Sequence, residues 1–404
     1  MIIKKKFSAK VVIVLLILCM VFSMGLLGCT NGTLPVSGPQ TGSDNQEPPS
    51  IDGWVLPIVV AITGNSSEEG RSAAWGFDYG VKAVNEQGGI RGIPVTITIK
   101  DVASDNSKVS SEIEVAADNA LIVVGPPTEA LFRAGERISF NAGMPAVGAA
   151  TDNSNREACQ PFAISCISDS GSAAESAAEA WMKAEKFTNV CAFYSSSTKE
   201  RVEYFEEAIS AGGKQLVEKI ELGTEELDAA AVAKKAIDSG ADAFYIDTNK
   251  EDTLSIVKEL KSLTSGNMNG VKILCGPLAA TQDLLESDEE KVMVGVRIWS
   301  SVDPSKDAEK RKAFNEAFDK NVGDSNQYNI AVDYYQAALM LKQAIDTLGL
   351  TGAPDKLAEE REILANYLYN SGTVTTILGD FVVESGNKHM VSQLYRITDK
   401  GFQL

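Results

Sequence analysis

From Pro57 onward, short apolar runs alternate with stretches in which apolar residues recur at helical spacing. PIVVAI (57–62), VTITIKD (95–101), LIVVG (121–125) and PAVGA (145–149) are rich in β-branched residues and read as strands. Between them, in the stretch from Gly70 to Glu86, Ala73, Phe77, Val81 and Val84 fall on one helix face, placed to cover a sheet. A second series follows: VCAFY (190–194), KQLVEKIEL (214–222), DAFYID (242–247), VKILCG (271–276) and MVGVRIW (293–299). Amphipathic helices are predicted near 172–184, 199–211, 228–238, 250–263 and 306–320. Strand–helix alternation implies parallel sheets covered on both faces, so two such series imply an α/β chain with two doubly wound lobes. The stretch 329–369 is predicted mostly helical, with a break near GLTGAP (349–354). Short strands around a turn at 384–388 then suit a chain returning to a sheet laid down earlier.

The region before this body has a different pattern. Lys4, Lys5, Lys6 and Lys10 precede an uncharged run from Val11 to Gly28, which has 18 residues. A basic segment, a short apolar run and small residues describe a secretory signal, whereas a spanning helix needs about 20 apolar residues. Leu26-Leu27-Gly28-Cys29 resembles the lipobox of bacterial lipoproteins. That resemblance implies cleavage before Cys29 and acylation of the new terminus, with residues 1–28 as the signal peptide. Residues 29–53 are dominated by Gly, Ser, Thr, Pro, Asn and Gln, which bury little, and so read as a lipid-anchored flexible tether.

Composition narrows the function. The formal charge is −18, and loss of the signal removes four further lysines and no acid. Such a chain is expected to bind no nucleic acid and to meet the membrane only through its anchor. Outside the signal and Cys29, four cysteines remain. Cys191 and Cys275 lie in apolar runs and read as buried thiols, while the spacing of Cys159 and Cys166 leaves a bridge open. There is no CxxC and a single histidine, His389, so no metal or cofactor is expected. The nucleotide, nucleophile-elbow and zinc-protease signatures are absent, which argues against an enzyme.

The segment 62–105 carries the most specific pattern. Thr63-Gly64, Gly70, Gly76, Asn85, Gly88-Gly89 and Gly92, followed by Asp101, Ser104 and Asp105, resemble the opening of type 1 periplasmic binding proteins. The likeness is to the leucine/isoleucine/valine-binding group serving ABC importers. VVGPPTEA (123–130), GMPAVGAATDN (143–153), FAISCISDS (162–170, its first crossing between lobes), VDYYQAALMLKQAI (332–345) and GDFVVESGN (379–387) continue it, so that it covers roughly residues 55–404. It implies a hinged binder that grips a small solute outside the carboxyl ends of its strands, where helix N-termini favour anions. The family's carboxylate-binding corners map to Pro127, Thr128, Glu129 and to Ala149, Ala150, Thr151, though Thr128 equally suits a helix N-cap. Glu69 stands where many relatives carry an aromatic. In the second lobe, Ser197, Lys199 and Asn249 occupy loops where relatives often place tyrosines, and Leu278 stands near the expected ammonium-binding acid. Glu69, Glu129, Asp152 and Asp247 are the acids that could replace it, although the plainer reading of each is a solvated surface acid.

The resemblance therefore implies an exported, lipid-anchored, monomeric solute-binding protein that delivers a small polar solute, an amino acid or a related amide or carboxylate, to ABC permease subunits. The expected organisation is lobe 1 from 54–164 and 301–377, and lobe 2 from 165–300 and 378–404. The alternative is a ligand-sensing receptor lipoprotein that feeds no transporter. The anchor is directly testable. Cys29→Ser is expected to leave unprocessed precursor without lipid, and a variant that fractionates and migrates like wild type would refute the lipobox.

Overall fold

The computed structural model describes residues 51–404 apart from 169–170, 224–225, 265–270 and 324–326. The signal, Cys29 and the tether up to residue 50 lie outside the described residues. No helix among the described residues is long and apolar enough to cross a membrane.

Two parallel sheets form two lobes, as the alternating pattern predicts. In lobe 1, β1 (Trp54–Val60), β2 (Val95–Asp101), β3 (Val123–Val124), β4 (Ala146–Gly148) and β5 (Ala163–Ser165) are ordered β2-β1-β3-β4-β5. In lobe 2, β6 (Asn189–Tyr194), β7 (Gln215–Glu221), β8 (Ala243–Asp247), β9 (Lys272–Cys275) and β10 (Arg297–Ser300) are joined by the C-terminal β13 (Gln393–Thr398) and β14 (Gly401–Gln403). The order is β14-β13-β10-β9-β8-β6-β7, with β13 antiparallel to β10. Successive strand residues point to opposite faces. Leu56, Ile58 and Val60 of β1 accordingly enter one core, while Val59 and Ala61 enter another. Phe193 and Ala192 of β6 divide in the same way in lobe 2.

Some boundaries differ from the sequence reading. AIS (163–165), read as part of a crossing, first forms the short edge strand β5. MVGVRIW becomes a strand only from Arg297, because Gly295 takes a positive φ of 90° in the preceding turn.

Lobe 1 is closed by helix α1 (Ser67–Glu86) against the 21-residue helix that begins at Tyr328 and ends at Leu348. A Cβ at Gly76 would stand 2.2 Å from the carbonyl oxygen of Ala331, so glycine there permits the close approach of the two helices. All four cysteines of the body are buried and free. Burial pushes the thiols of Cys166 and Cys191 up to about 12.

Three chain segments pass between the lobes, and each meets lobe 2 at the carboxyl edge of its sheet. The first leaves the end of β5 for the helix Ser172–Ala184; the second leaves the end of β10. The third enters β13 at Gln393, which pairs with Ser300. Since β5 also ends at the carboxyl edge of its own sheet, the two carboxyl edges face each other across the crossings.

The third crossing contains a hairpin, β11 (Asp380–Glu384) and β12 (Asn387–Val391), turned at Ser385 and Gly386, both with positive φ. Phe381 and Val383 of this hairpin pack into a core of lobe 1. The side chain of Lys388 is 1% exposed and its Nζ lies 2.6 Å from Oδ1 of Asp333, itself 6% exposed. Ser168 of the first crossing donates its hydroxyl to the same carboxylate, and Gln336 accepts from Lys388 while donating to the carbonyl of Gly379. Asp380 N–H donates to Ser301 O at 2.9 Å, tying the second crossing to the third.

Removing one member of such a pair leaves a buried charge without compensation. Lys388→Ala is expected to lower unfolding stability by about 3–5 kcal/mol. The double replacement Lys388→Met with Asp333→Leu should recover much of that loss. Denaturant titration is the check, and a single-variant loss below about 1 kcal/mol, the range of exposed pairs, would show that the pair is solvated.

Candidate functional site

The carboxyl edge of lobe 1 has three corners of different character. At the first, Asp101 accepts from Ala103 N–H (2.9 Å), Ile62 N–H (2.9 Å), Thr63 N–H (3.2 Å) and the Thr63 hydroxyl (2.9 Å). The Ala103 amide, joined by Thr63 and Ile62, holds this carboxyl below its usual range against the opposing cost of desolvation. The acidic loop thus shapes the corner by fastening β2 to β1, and its carboxylate is already occupied. Glu69 lies half-buried in the first turn of α1 beside this corner.

The second corner runs through the buried Pro127 into the helix Glu129–Asn141. Thr128 occupies its N-cap position with extended backbone (φ −116°, ψ 140°), yet its side chain makes no capping bond. Its Oγ1 is buried without a hydrogen-bond partner among the described residues. A buried hydroxyl ordinarily finds a partner, and this one stands beside the unpaired N–H groups of a helix N-terminus. The third corner holds the buried Ala149 and Ala150 and the exposed Thr151.

The second and third corners are bolted together. Ala149 N–H donates to Pro126 O at 3.0 Å. The Thr151 hydroxyl donates to Oε2 of Glu129 at 2.9 Å, and Arg133 lies 2.6 Å from both Glu129 and Asp152. Asp152 also caps the following helical turn through Asn155 N–H. Glu129 and Asp152 are therefore engaged within the protein, although they sit at the surface as expected.

In lobe 2 the residues singled out from the sequence lie in the segments that follow β6, β8 and β9. Asn249 caps the helix Lys250–Leu263 by accepting from Asp252 N–H at 2.8 Å and donating to the Asp252 carboxylate at 2.8 Å. Ser197 is exposed and hydrogen-bonds only Ser195, at 2.9 Å, among the described residues. Lys199 is exposed at the start of the helix Lys199–Ala211, and Leu278 is 46% exposed in the turn Pro277–Ala279.

The expectation for Asp247 is corrected: it is wholly buried. Its carboxylate receives the Arg201 fork, Nε to Oδ2 at 2.7 Å and Nη2 to Oδ1 at 2.8 Å, together with the Tyr245 hydroxyl at 2.8 Å. A Cβ on Gly276 would come within 2.3 Å of Oδ1, so the glycine that follows β9 makes room for this acid. Thr198 donates to Asp247 O at 2.6 Å, bringing the ends of β6, β8 and β9 to one point. Burial opposes the Arg201 charge, but the Asp247 carboxylate more than offsets it and keeps the guanidinium above its ordinary value. Nη1 of Arg201 makes no hydrogen bond among the described residues, and the side chain is 26% exposed. Sequence reasoning missed this pair, although an acid ending a strand as apolar as DAFYI, with an arginine seven residues past the neighbouring strand, is the signal that would have found it.

Two α/β lobes whose strand carboxyl edges face each other, fastened by three crossings, define a two-lobed solute binder. Residues 54–399 match the family model described as periplasmic binding protein, and the chain belongs to that family. Its members are extracytoplasmic solute binders rather than enzymes, and this chain is a solute-binding protein of that kind. Among solved structures it is similar to a protein from Rhodospirillum rubrum assigned to a branched-chain amino acid ABC transporter, with 18% identity over 87% of this chain and 99% of that one and a TM-score of 0.58. It is also similar to an ABC transporter substrate-binding protein from Sphaerobacter thermophilus (16% identity, 86% and 95% covered, TM-score 0.48). A substrate-binding protein of Desulfitobacterium hafniense in complex with Leu matches at 18% identity, with 87% and 99% covered and a TM-score of 0.42. At these identities the likeness is one of fold. No curated protein matches the chain.

The two N-cap positions separate a structural role from a waiting one. Asn249→Ala is expected to lose about 0.5–2 kcal/mol of stability, as for an engaged cap. Thr128→Ala removes a hydroxyl with no partner and should leave the unliganded protein as stable as wild type or slightly more so. Thermal unfolding of the two variants checks this, and equal losses would show that Thr128 caps its helix after all.

Proposed function

We propose that this chain captures a small carboxylate-bearing solute between its lobes and hands it to an ABC permease. In this reading it works as a monomer held to the membrane by acyl chains on Cys29. The observation that carries the reading is the orphaned hydroxyl of Thr128 at a helix N-terminus, a donor set suited to an anionic oxygen. The backbone of Pro127–Glu129 and Ala150 borders that corner, with Ala149 and Thr151 held beside it by Pro126 and Glu129.

Lobe 2 supports a solute without an ammonium group. Leu278 stands where the family resemblance expects an acid, and the buried acid nearby, Asp247, is neutralised by Arg201. A buried ammonium left unpaired costs several kcal/mol. The free N–H of Arg201 offers instead a donor to an oxygen of the solute, and Lys199 adds a second cation nearby in sequence.

Leucine, isoleucine and valine are accordingly expected to bind weakly or not at all. Small carboxylates and amides lacking an α-ammonium group should bind more tightly. Calorimetry decides, and micromolar or tighter binding of any of the three amino acids would overturn this assignment. Thr128→Ala should cost a carboxylate ligand about 1.5–3 kcal/mol. Lobe closure on a bound solute should appear in solution scattering as a smaller radius.

A further inference from the structure

At the opposite end of lobe 2, on the amino edge of its sheet, lies a cavity of about 250 Å³. Four of its lining residues are cationic, Lys261, Lys272, Arg297 and Arg396, and one is acidic, Glu185. This is an unusual place in a chain whose formal charge is −18. The single acid is committed to Arg297, whose Nε donates to it at 2.8 Å. Lys261 is held by two carbonyls, Val292 O at 2.5 Å and Val294 O at 2.8 Å, which orient its ammonium without neutralising it.

Arg297 and Arg396 are direct cross-strand partners on β10 and β13. Like charges in that relation destabilise a sheet, and Arg396 has no hydrogen bond or ion pair among the described residues. A second observation marks the same cavity. Trp181, also in its lining, is fully buried, and its indole N–H has no hydrogen-bond partner among the described residues. Arg396 without a partner among the described residues, Lys261 held by carbonyls and the orphaned indole donor therefore line one cavity.

We propose that this cavity is a second binding site, separate from the cleft between the lobes, for a small free anion bearing a phosphate-like group. Guanidinium groups hold the oxygens of such a group through paired N–H donors. Its volume leaves space for a small organic substituent beyond the oxyanion itself, since one water occupies about 30 Å³.

The test uses thermal unfolding in inorganic phosphate against sodium chloride of matched ionic strength. Wild type should show a saturable rise with phosphate, on the order of a few degrees, because an anion bound only to the folded state stabilises it by mass action. Arg396→Gln should abolish that rise, yet in chloride alone it should unfold slightly above wild type, because the repulsion from Arg297 is relieved. Arg396→Glu, which brings its own carboxylate to the cavity, should be the most stable of the three in chloride and insensitive to phosphate. Equal midpoints of wild type in the two salts, or a phosphate response retained by Arg396→Gln, would overturn the proposal. A response to phosphatidylglycerol vesicles with none to free phosphate would overturn it as well, since it would assign the site to a lipid surface.

Discussion

Much of this molecule depends on one buried ion pair. Lys388 reaches from the third crossing to Asp333 on the long helix of lobe 1, and Ser168 of the first crossing shares the same carboxylate. Charges taken out of water must be matched closely, so the pair fixes where two of the three crossings run. The link from Asp380 to Ser301 adds the remaining one. Because all three crossings meet lobe 2 at its strand carboxyl ends, fixing them aims the corners of the two lobes at one another. The pair touches neither the Thr128 corner nor Arg201, yet the recognition surface has its orientation from it.

The two ends of the second sheet treat charge in opposite ways. At the carboxyl edge, Arg201 and Asp247 cancel within a bidentate pair backed by Tyr245, leaving one N–H to spare. At the amino edge, cations gather around a cavity with one acid among them. Asp247 is buried where the sequence reading has a solvated surface acid. The family resemblance directs attention to Leu278 and Asn249; the structure shows Asn249 as a helix cap and, at the same edge, a strand-ending aspartate paired with a helix arginine.

How much was legible follows from the range of the forces involved. Strands such as VCAFY and DAFYID, and helices with one apolar face, are set by local periodicity and could be read directly. The pairing of Gln393 with Ser300, the nearness of Lys388 to Asp333 and the orphaned hydroxyl of Thr128 depend on segments far apart in the chain, and no local pattern carries them. Thr128 shows the limit well. Threonine before a helix ordinarily caps it, and only the geometry of the corner reveals that here it does not.

The four thiols give the fold a sense of time. Members of this family reach an extracytoplasmic space, where disulfides form readily, yet Cys159, Cys166, Cys191 and Cys275 all stay reduced within the interior. Burial hides each sulfur and, by holding its proton, withholds the thiolate that oxidants and disulfides attack. The chain is therefore vulnerable to mispairing only while it is unfolded. Its freedom from oxidative damage is a kinetic property, set by how quickly the lobes close over their sulfurs after export and how seldom they reopen.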